Sequence, residues 1–134
     1  MYLFMGNLVR ERLLPNGLTV SFYDQTRRYF GDFYLVKLEI VCKVPVIADY
    51  FGENGEFNTA KSLLGDEVVY RRAVEQMGVP STEIERAVNR LMADFETHSL
   101  PYFAAPAFPQ KLVCAELKKH AKKPLHLSMT RVHT

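Results

Sequence analysis

The sequence predicts an α+β domain: a three- or four-stranded antiparallel sheet, opening as an N-terminal meander, with about three helices packed on one of its faces. Three observations carry this. Strand patterns occupy the first third of the chain and helix patterns the remainder, a segregation that argues against a doubly wound sheet. Residues 32–44 hold the cleanest period-two alternation, and residues 84–95 the cleanest spacing of a helix with one apolar face. The length of 134 residues, with 48% hydrophobic and 24% charged residues, suits one domain, 1–134. Surface scaling at this size buries roughly two-thirds of the unfolded chain's surface, enough for a core without disulfides or metals.

The elements follow in order. Asn7 to Leu14 mixes apolar and polar residues as an edge strand does. Pro15-Asn16-Gly17 then supplies the positive φ of a tight turn, so Leu18 to Asp24 is its hairpin partner, with Leu18, Val20 and Phe22 on one face. The polar stretch from Gln25 to Gly31 reads as a hairpin loop. From Asp32 to Val44, Tyr34, Val36, Leu38, Ile40, Cys42 and Val44 share one face, while Lys37, Glu39 and Lys43 share the other. Pro45 ends this strand, and Asp49 to Gly55 is dense in turn formers.

Glu56 to Gly65 has helical spacing at Phe57, Ala60, Leu63 and Leu64 but is short for a helix. Asp66 and Glu67 can open a helix whose face is Val69, Ala73 and Met77 and which Gly78 stops. Thr82 and Glu85 have capping-box spacing ahead of Ile84, Ala87, Val88, Leu91, Met92 and Phe95, which fall on one helical stripe. Three prolines make Leu100 to Pro109 a packed loop, after which Pro109 opens a helix to about Lys122, with Leu112, Val113, Leu117 and Ala121 inward. Beyond Pro124, the alternation of Leu125, Leu127 and Met129 suits a short strand or a frayed tail.

Charge is unevenly spread. The whole chain carries +2, but residues 1–108 carry −3 and residues 109–134 carry +5. Cys42 and Cys114 lie 72 positions apart in no metal-ligand pattern, which suits free buried thiols. The opening Met1-Tyr-Leu-Phe-Met5 lacks the parts of a secretory signal, and a start at Met5 would place Arg10 where a myristoylation signal has Ser or Thr. No apolar run reaches the length of a membrane-spanning helix. A cytoplasmic location with no membrane partner is the expectation.

No catalytic constellation is visible, and no metal or cofactor is implied. There is no Gly-x-Ser-x-Gly elbow and no phosphate-binding loop. Cys114 and His120 share a helix but stand about 600° of rotation apart, so they do not face each other. The four histidines, His98, His120, His126 and His133, include no His-x-x-x-His pair. The acidic loop holding Asp49, Glu53, Asn54 and Glu56 lacks the glycine position of a calcium loop. Glu75 to Met92 has the outline of a helix-turn-helix, but Glu83 and Glu85 would meet phosphates at the start of its second helix.

Two local resemblances stand beside these readings. Leu14-Pro-Asn-Gly-Leu-Thr-Val20 resembles the opening strand of pitrilysin-type metallopeptidases, whose His-x-x-Glu-His zinc motif the chain lacks. The Leu-Pro-Asn-Gly hairpin, the run Tyr23-Asp-Gln-Thr-Arg-Arg-Tyr-Phe-Gly-Asp-Phe-Tyr34 and the strand ending at Val44 together resemble an uncharacterised family of bacterial proteins. That resemblance implies no activity and no site.

What remains is a binding or protein-interaction module that is not an enzyme, contacting an acidic partner or nucleic acid. Its candidate residues are Arg27, Arg28 and Tyr29, where guanidinium groups flank aromatic rings, and Lys118, Lys119, Lys122 and Lys123, four lysines in six positions. A second copy of the chain across an exposed strand edge is a further possible partner. The alternative is a small enzyme or ligand-binding protein with a pocket near residues 100–109, using Cys114 or a histidine.

Overall fold

A computed structural model describes the backbone of residues 7–52 and 55–133, and side chains as far as residue 120. It shows an α+β fold with an antiparallel sheet of five strands and four helices. The strands are β1 (Asn7–Leu13), β2 (Thr19–Asp24), β3 (Arg27–Phe30), β4 (Phe33–Pro45) and β5 (Glu67–Pro80). The helices are α1 (Glu56–Leu64), α2 (Ile84–His98), α3 (Leu100–Ala104) and α4 (Phe108–His133). The chain forms two compact units, Met1–Lys43 with Val69–Pro106, and Val44–Val68 with Ala107–Thr134.

In the first unit, β1 and β2 form the expected hairpin, with Leu13 opposite Thr19 and Gly17 at φ 89° in the turn. β2 and β3 then pair with the same edge of β4 in one continuous register. Val20 faces Cys42 and Asp24 faces Leu38; the Gln25 N–H still reaches Lys37 O at 2.8 Å, and beyond Thr26, Arg27 faces Leu35. The stretch expected as a loop is therefore largely strand. The Thr26 hydroxyl accounts for the irregularity: it accepts the Lys37 N–H at 3.3 Å in place of a ladder carbonyl, while the Asp24 carboxylate accepts the Thr26 N–H at 2.9 Å. β5 takes the other edge of β4.

β5 replaces the helix expected from Asp66 to Gly78. Valines at 68, 69, 74 and 79 resist a helix, and pairing with β4 satisfies the backbone of a segment whose helical stripe was only three residues deep. The burial alternates as a strand's does, with Val68 buried and Tyr70, Val74 and Gln76 partly so, while Val69, Arg71, Ala73, Glu75 and Met77 are exposed. At Gly78, φ 72°, the buried parity shifts to Val79, the mark of one extra residue in the strand.

One face of this sheet receives α2 and α3. Phe95 of α2 meets Phe22 edge-on at 5.7 Å and Phe103 of α3 at 5.5 Å, and Tyr70 of β5 meets Phe103 at 4.9 Å. Ala87, Val88, Met92 and Phe95 are the buried stripe of α2, as its spacing predicts. The expected capping box does not form. A 3-10 turn at Ser81–Glu83 precedes the helix, whose cap residue is Glu83, with no side-chain bond to the first turn. β4 carries the expected buried residues Val36, Leu38, Ile40, Cys42 and Val44, but Leu35 and Val41 are buried as well, so its other face is not wholly polar.

The packed loop expected over 100–109 is partly helix. Pro101 sits in the first turn of α3, where its missing N–H costs nothing, and Phe103 is fully packed. Asn16 ties the β1–β2 turn to this segment. Its Nδ2 donates to Phe103 O at 2.7 Å and Ala105 O at 3.0 Å, and its Oδ1 accepts the Leu18 N–H.

In the second unit, α1 packs against α4, with Ala60, Phe108 and Val113 buried. The short segment expected to be ambiguous is thus a helix, closed by Gly65 at φ 82°, whose N–H bonds Lys61 O. A 3-10 turn, Ala48–Tyr50, also lies against α4, and Gln110 Nε2 donates to Tyr50 O at 3.1 Å. The last helix does not stop near Lys122 and no terminal strand follows. Its backbone continues to His133 through Pro124, which removes one helical N–H bond and crowds the carbonyl four residues earlier.

Candidate binding surfaces

The tip of the β3–β4 hairpin is the most exposed cluster of aromatic and cationic side chains in the first unit. All four residues of β3 are exposed. Tyr29, Phe30 and Phe33 are 58%, 75% and 46% exposed, flanked by the exposed Arg27 and Arg28. Gly31, φ 58°, turns the chain, and Phe30 faces Phe33 across a register shift that follows Arg28. Arg28 Nε donates to Gly31 O at 2.7 Å, which pins its guanidinium beside the turn. A paired ladder thus holds two arginines and three rings in water, where large apolar side chains are usually placed only for a partner.

The lysine cluster lies on α4, in the second unit. Lys118 and Lys119 are exposed, and Lys119 Nζ pairs with Glu116 at 3.1 Å. Positions 118, 119, 122 and 123 fall within about 140° of arc on an α-helix. The side chains of Lys122 and Lys123 lie outside the described residues.

A groove of about 430 Å³ in the first unit is lined by Arg12, Leu14, Glu96, Leu100, Pro101 and Ala104, among others. Sequence reasoning missed its ionic wall. β1 points Arg10 and Arg12 to the side that α2 covers, and both converge on Glu96. Arg12 Nε donates at 2.7 Å and Arg10 Nη1 at 3.1 Å. The Arg12 hydrogen bond, against the opposing effect of burial, holds the Glu96 carboxyl below its usual range, and the same bond raises Arg12. Of the three, Arg12 and Glu96 line the groove, where their charges offset each other, and Arg10 holds Glu96 from outside the lining. The signal was present in part, since Arg10 and Arg12 are two apart on a strand and must share a face. A smaller hollow of about 150 Å³ lies beside Val79, Arg86 and Arg90, where Gln76 Oε1 is buried without a hydrogen-bond partner among the described residues.

Neither Cys114 nor a histidine lines the groove near residues 100–109. Cys114, expected to be buried, is instead partly exposed on α4 in the second unit, because the spacing along a helix does not fix which flank its neighbours cover, and His98 is exposed on the last turn of α2 in the first. His120 is exposed on α4, and the side chains of His126 and His133 lie outside the described residues. Cys42 is fully buried in β4, and burial pushes its thiol up to about 11. Among the described residues no three His, Cys, Asp or Glu side chains group closely enough to hold a metal ion. No described helix is long and apolar enough to cross a membrane.

No protein-family model, no curated protein and no solved structure matches the chain.

Proposed function

We propose that the protein is a binding module that is not an enzyme and that captures an acidic protein partner at the tip of the β3–β4 hairpin. The observation that carries this is the exposure of Tyr29, Phe30 and Phe33 beside Arg27 and Arg28 on a hydrogen-bonded ladder. Tyrosine, phenylalanine and arginine are the residues that anchor protein interfaces, and a paired strand presents them with little ordering left to pay for. A protein partner is favoured over nucleic acid because the chain's net charge is only +2, far from the basic footprint of a nucleic-acid binder. Lys118, Lys119, Lys122 and Lys123 would add electrostatic attraction for the same acidic class of partner. The module works in the cytoplasm on this reading, where its thiols stay reduced.

Selection from a displayed random peptide library tests the proposal. The expected winners combine acidic with apolar residues, bind more weakly as salt rises, and lose binding to the Tyr29→Ala/Phe30→Ala and Arg27→Glu/Arg28→Glu proteins, both still folded. Peptides that bind all three proteins equally would sink the idea, and so would a single-stranded oligonucleotide that binds the same residues more tightly than any peptide.

The groove at Arg12 and Glu96 supports a second reading, a site for a small amphipathic anion whose carboxylate approaches Arg12 while its apolar part rests on Leu14, Leu100 and Pro101. Chemical-shift changes on titrating medium-chain fatty acids would appear at Leu14 and Ala104 if this holds; shifts confined to β3 would reject it.

A further inference from the structure

Resting on the reading that a ligand carboxylate meets Arg12 in the groove of the first unit, we propose that this ligand carries a hydrogen-bond donor on its α-carbon and that Glu96 selects for that donor. The ligand class is an apolar α-hydroxy or α-amino acid. The first observation is the free end of a fixed cation. Arg12 donates its Nε–H to Glu96 Oε2 at 2.7 Å, and among the described residues its Nη1 and Nη2 have no partner. That bond sets the plane of the guanidinium and leaves open the end that holds a carboxylate with two parallel hydrogen bonds.

The second observation is the anion beside that end. Glu96 accepts from Arg12 and also from Arg10, whose Nη1 lies 3.2 Å from Oε1 and 3.1 Å from Oε2. These bonds keep the carboxylate charged and in place, and they leave unused a part of its acceptor capacity of about four lone-pair positions. Arg10 lies outside the lining, so the groove presents one cation and one anion side by side. A plain fatty-acid carboxylate on the open end of Arg12 would stand next to the Glu96 carboxylate, and like charges repel at such range. A hydroxyl or ammonium on the carbon that bears the ligand's carboxylate puts a donor in the same place. The repulsion is then replaced by a charge-assisted hydrogen bond to Glu96.

The third observation is the apolar wall. Leu14, Leu100, Pro101 and Ala104 line the groove, as does Leu13, which is 79% exposed and covered by nothing else of its size. The groove's volume of about 430 Å³ leaves room for a branched aliphatic side chain against this wall. Carboxylate, donor and side chain thus have three different attachments around one tetrahedral carbon: Arg12, Glu96 and the wall. The two hands of the ligand therefore fit unequally, although they are identical in charge and hydrophobicity.

Heteronuclear NMR titration of the full chain reads both the place and the strength of binding. The probes are 4-methylpentanoate, the two enantiomers of 2-hydroxy-4-methylpentanoate and the two enantiomers of leucine. One enantiomer of the hydroxy acid or of leucine should bind about tenfold more tightly than 4-methylpentanoate and than its own mirror image, the size of one hydrogen bond to a charged group. Its shift changes should centre on Leu14 and Ala104. Whichever of the two binds more tightly identifies hydroxyl or ammonium as the donor. Glu96→Gln keeps both arginines and removes the anion, so it should narrow the preference, chiefly by letting 4-methylpentanoate bind more tightly. If 4-methylpentanoate binds the wild type as tightly as the other probes, if mirror images bind alike, or if folded Glu96→Gln keeps the full preference, the selection by Glu96 is overturned and the carboxylate reading stands. If no probe moves Leu14 or Ala104 at concentrations up to about 10 mM, both are overturned.

Discussion

Glu96 and Cys42 show how single side chains acquire their properties from the elements that surround them. The Glu96 carboxyl is held below its ordinary value of 4.5 by Arg12 and Arg10, so the folded state binds its proton less readily than the unfolded chain does. The stability this contributes is present above pH 4.5 and is lost as pH falls through the lowered folded value. Glu96→Gln should therefore flatten the acid limb of a stability-against-pH curve from chemical denaturation, while leaving the curve's shape above pH 6 unchanged. Cys42 has the opposite sign. Burial raises its thiol from 9.0 to about 11, so its contribution is present below pH 9 and is lost as pH climbs toward 11. A thiol reagent at pH 8 should label one cysteine quickly, the partly exposed Cys114, and Cys42 only after unfolding. The sequence placed Cys42 on the apolar face of β4, but the two arginines on Glu96 were not visible in it. Residue types give ordinary pKa values, and only packing decides which charge or how much water each group keeps.

At the scale of elements, the aromatic set on the helix-facing side of the sheet joins four parts of the first unit. Phe95 contacts Phe22 of β2 and Phe103 of α3, and the Arg72 guanidinium of β5 lies 5.8 Å from its ring centre. Phe95→Ala should lower stability by about 3–5 kcal/mol, read by urea denaturation, because the cavity opens where these elements meet. The elements differ in how legible they were. β1, β2, β4 and α2 follow from local pattern: Asn16-Gly17 sets the hairpin, the alternation from Tyr34 sets β4, and the stripe from Ala87 to Phe95 sets α2. β3 and β5 did not follow. The Arg27–Phe30 run is short and polar at its start, and becomes strand because β4 extends beyond β2 and offers a template. Residues 67–80 carry both a weak helical stripe and a set of valines, and β4's second edge decided between them.

At the scale of the whole molecule, charges and polar groups far apart in the sequence are brought together. The candidate residues Arg27, Arg28 and Tyr29 were legible because arginine beside aromatic residues is a local pattern. Arg10, Arg12 and Glu96 were not, since the partners are 84 and 86 positions apart and no local pattern joins them. The same holds for Asn16, which reads as a turn residue and also bonds two carbonyls of the segment after α2.

The sequence by itself determined the α+β class, the first hairpin, the long buried strand and the amphipathic helix, because each is set by periodicity and turn chemistry within about fifteen neighbouring residues. Tertiary structure alone decided that residues 67–80 are a strand, that β3 prolongs β2, and that two arginines share one glutamate. Those outcomes depend on which backbone edges and charges meet across long stretches of chain, where pairing energies outweigh local preferences of a few tenths of a kcal/mol per residue.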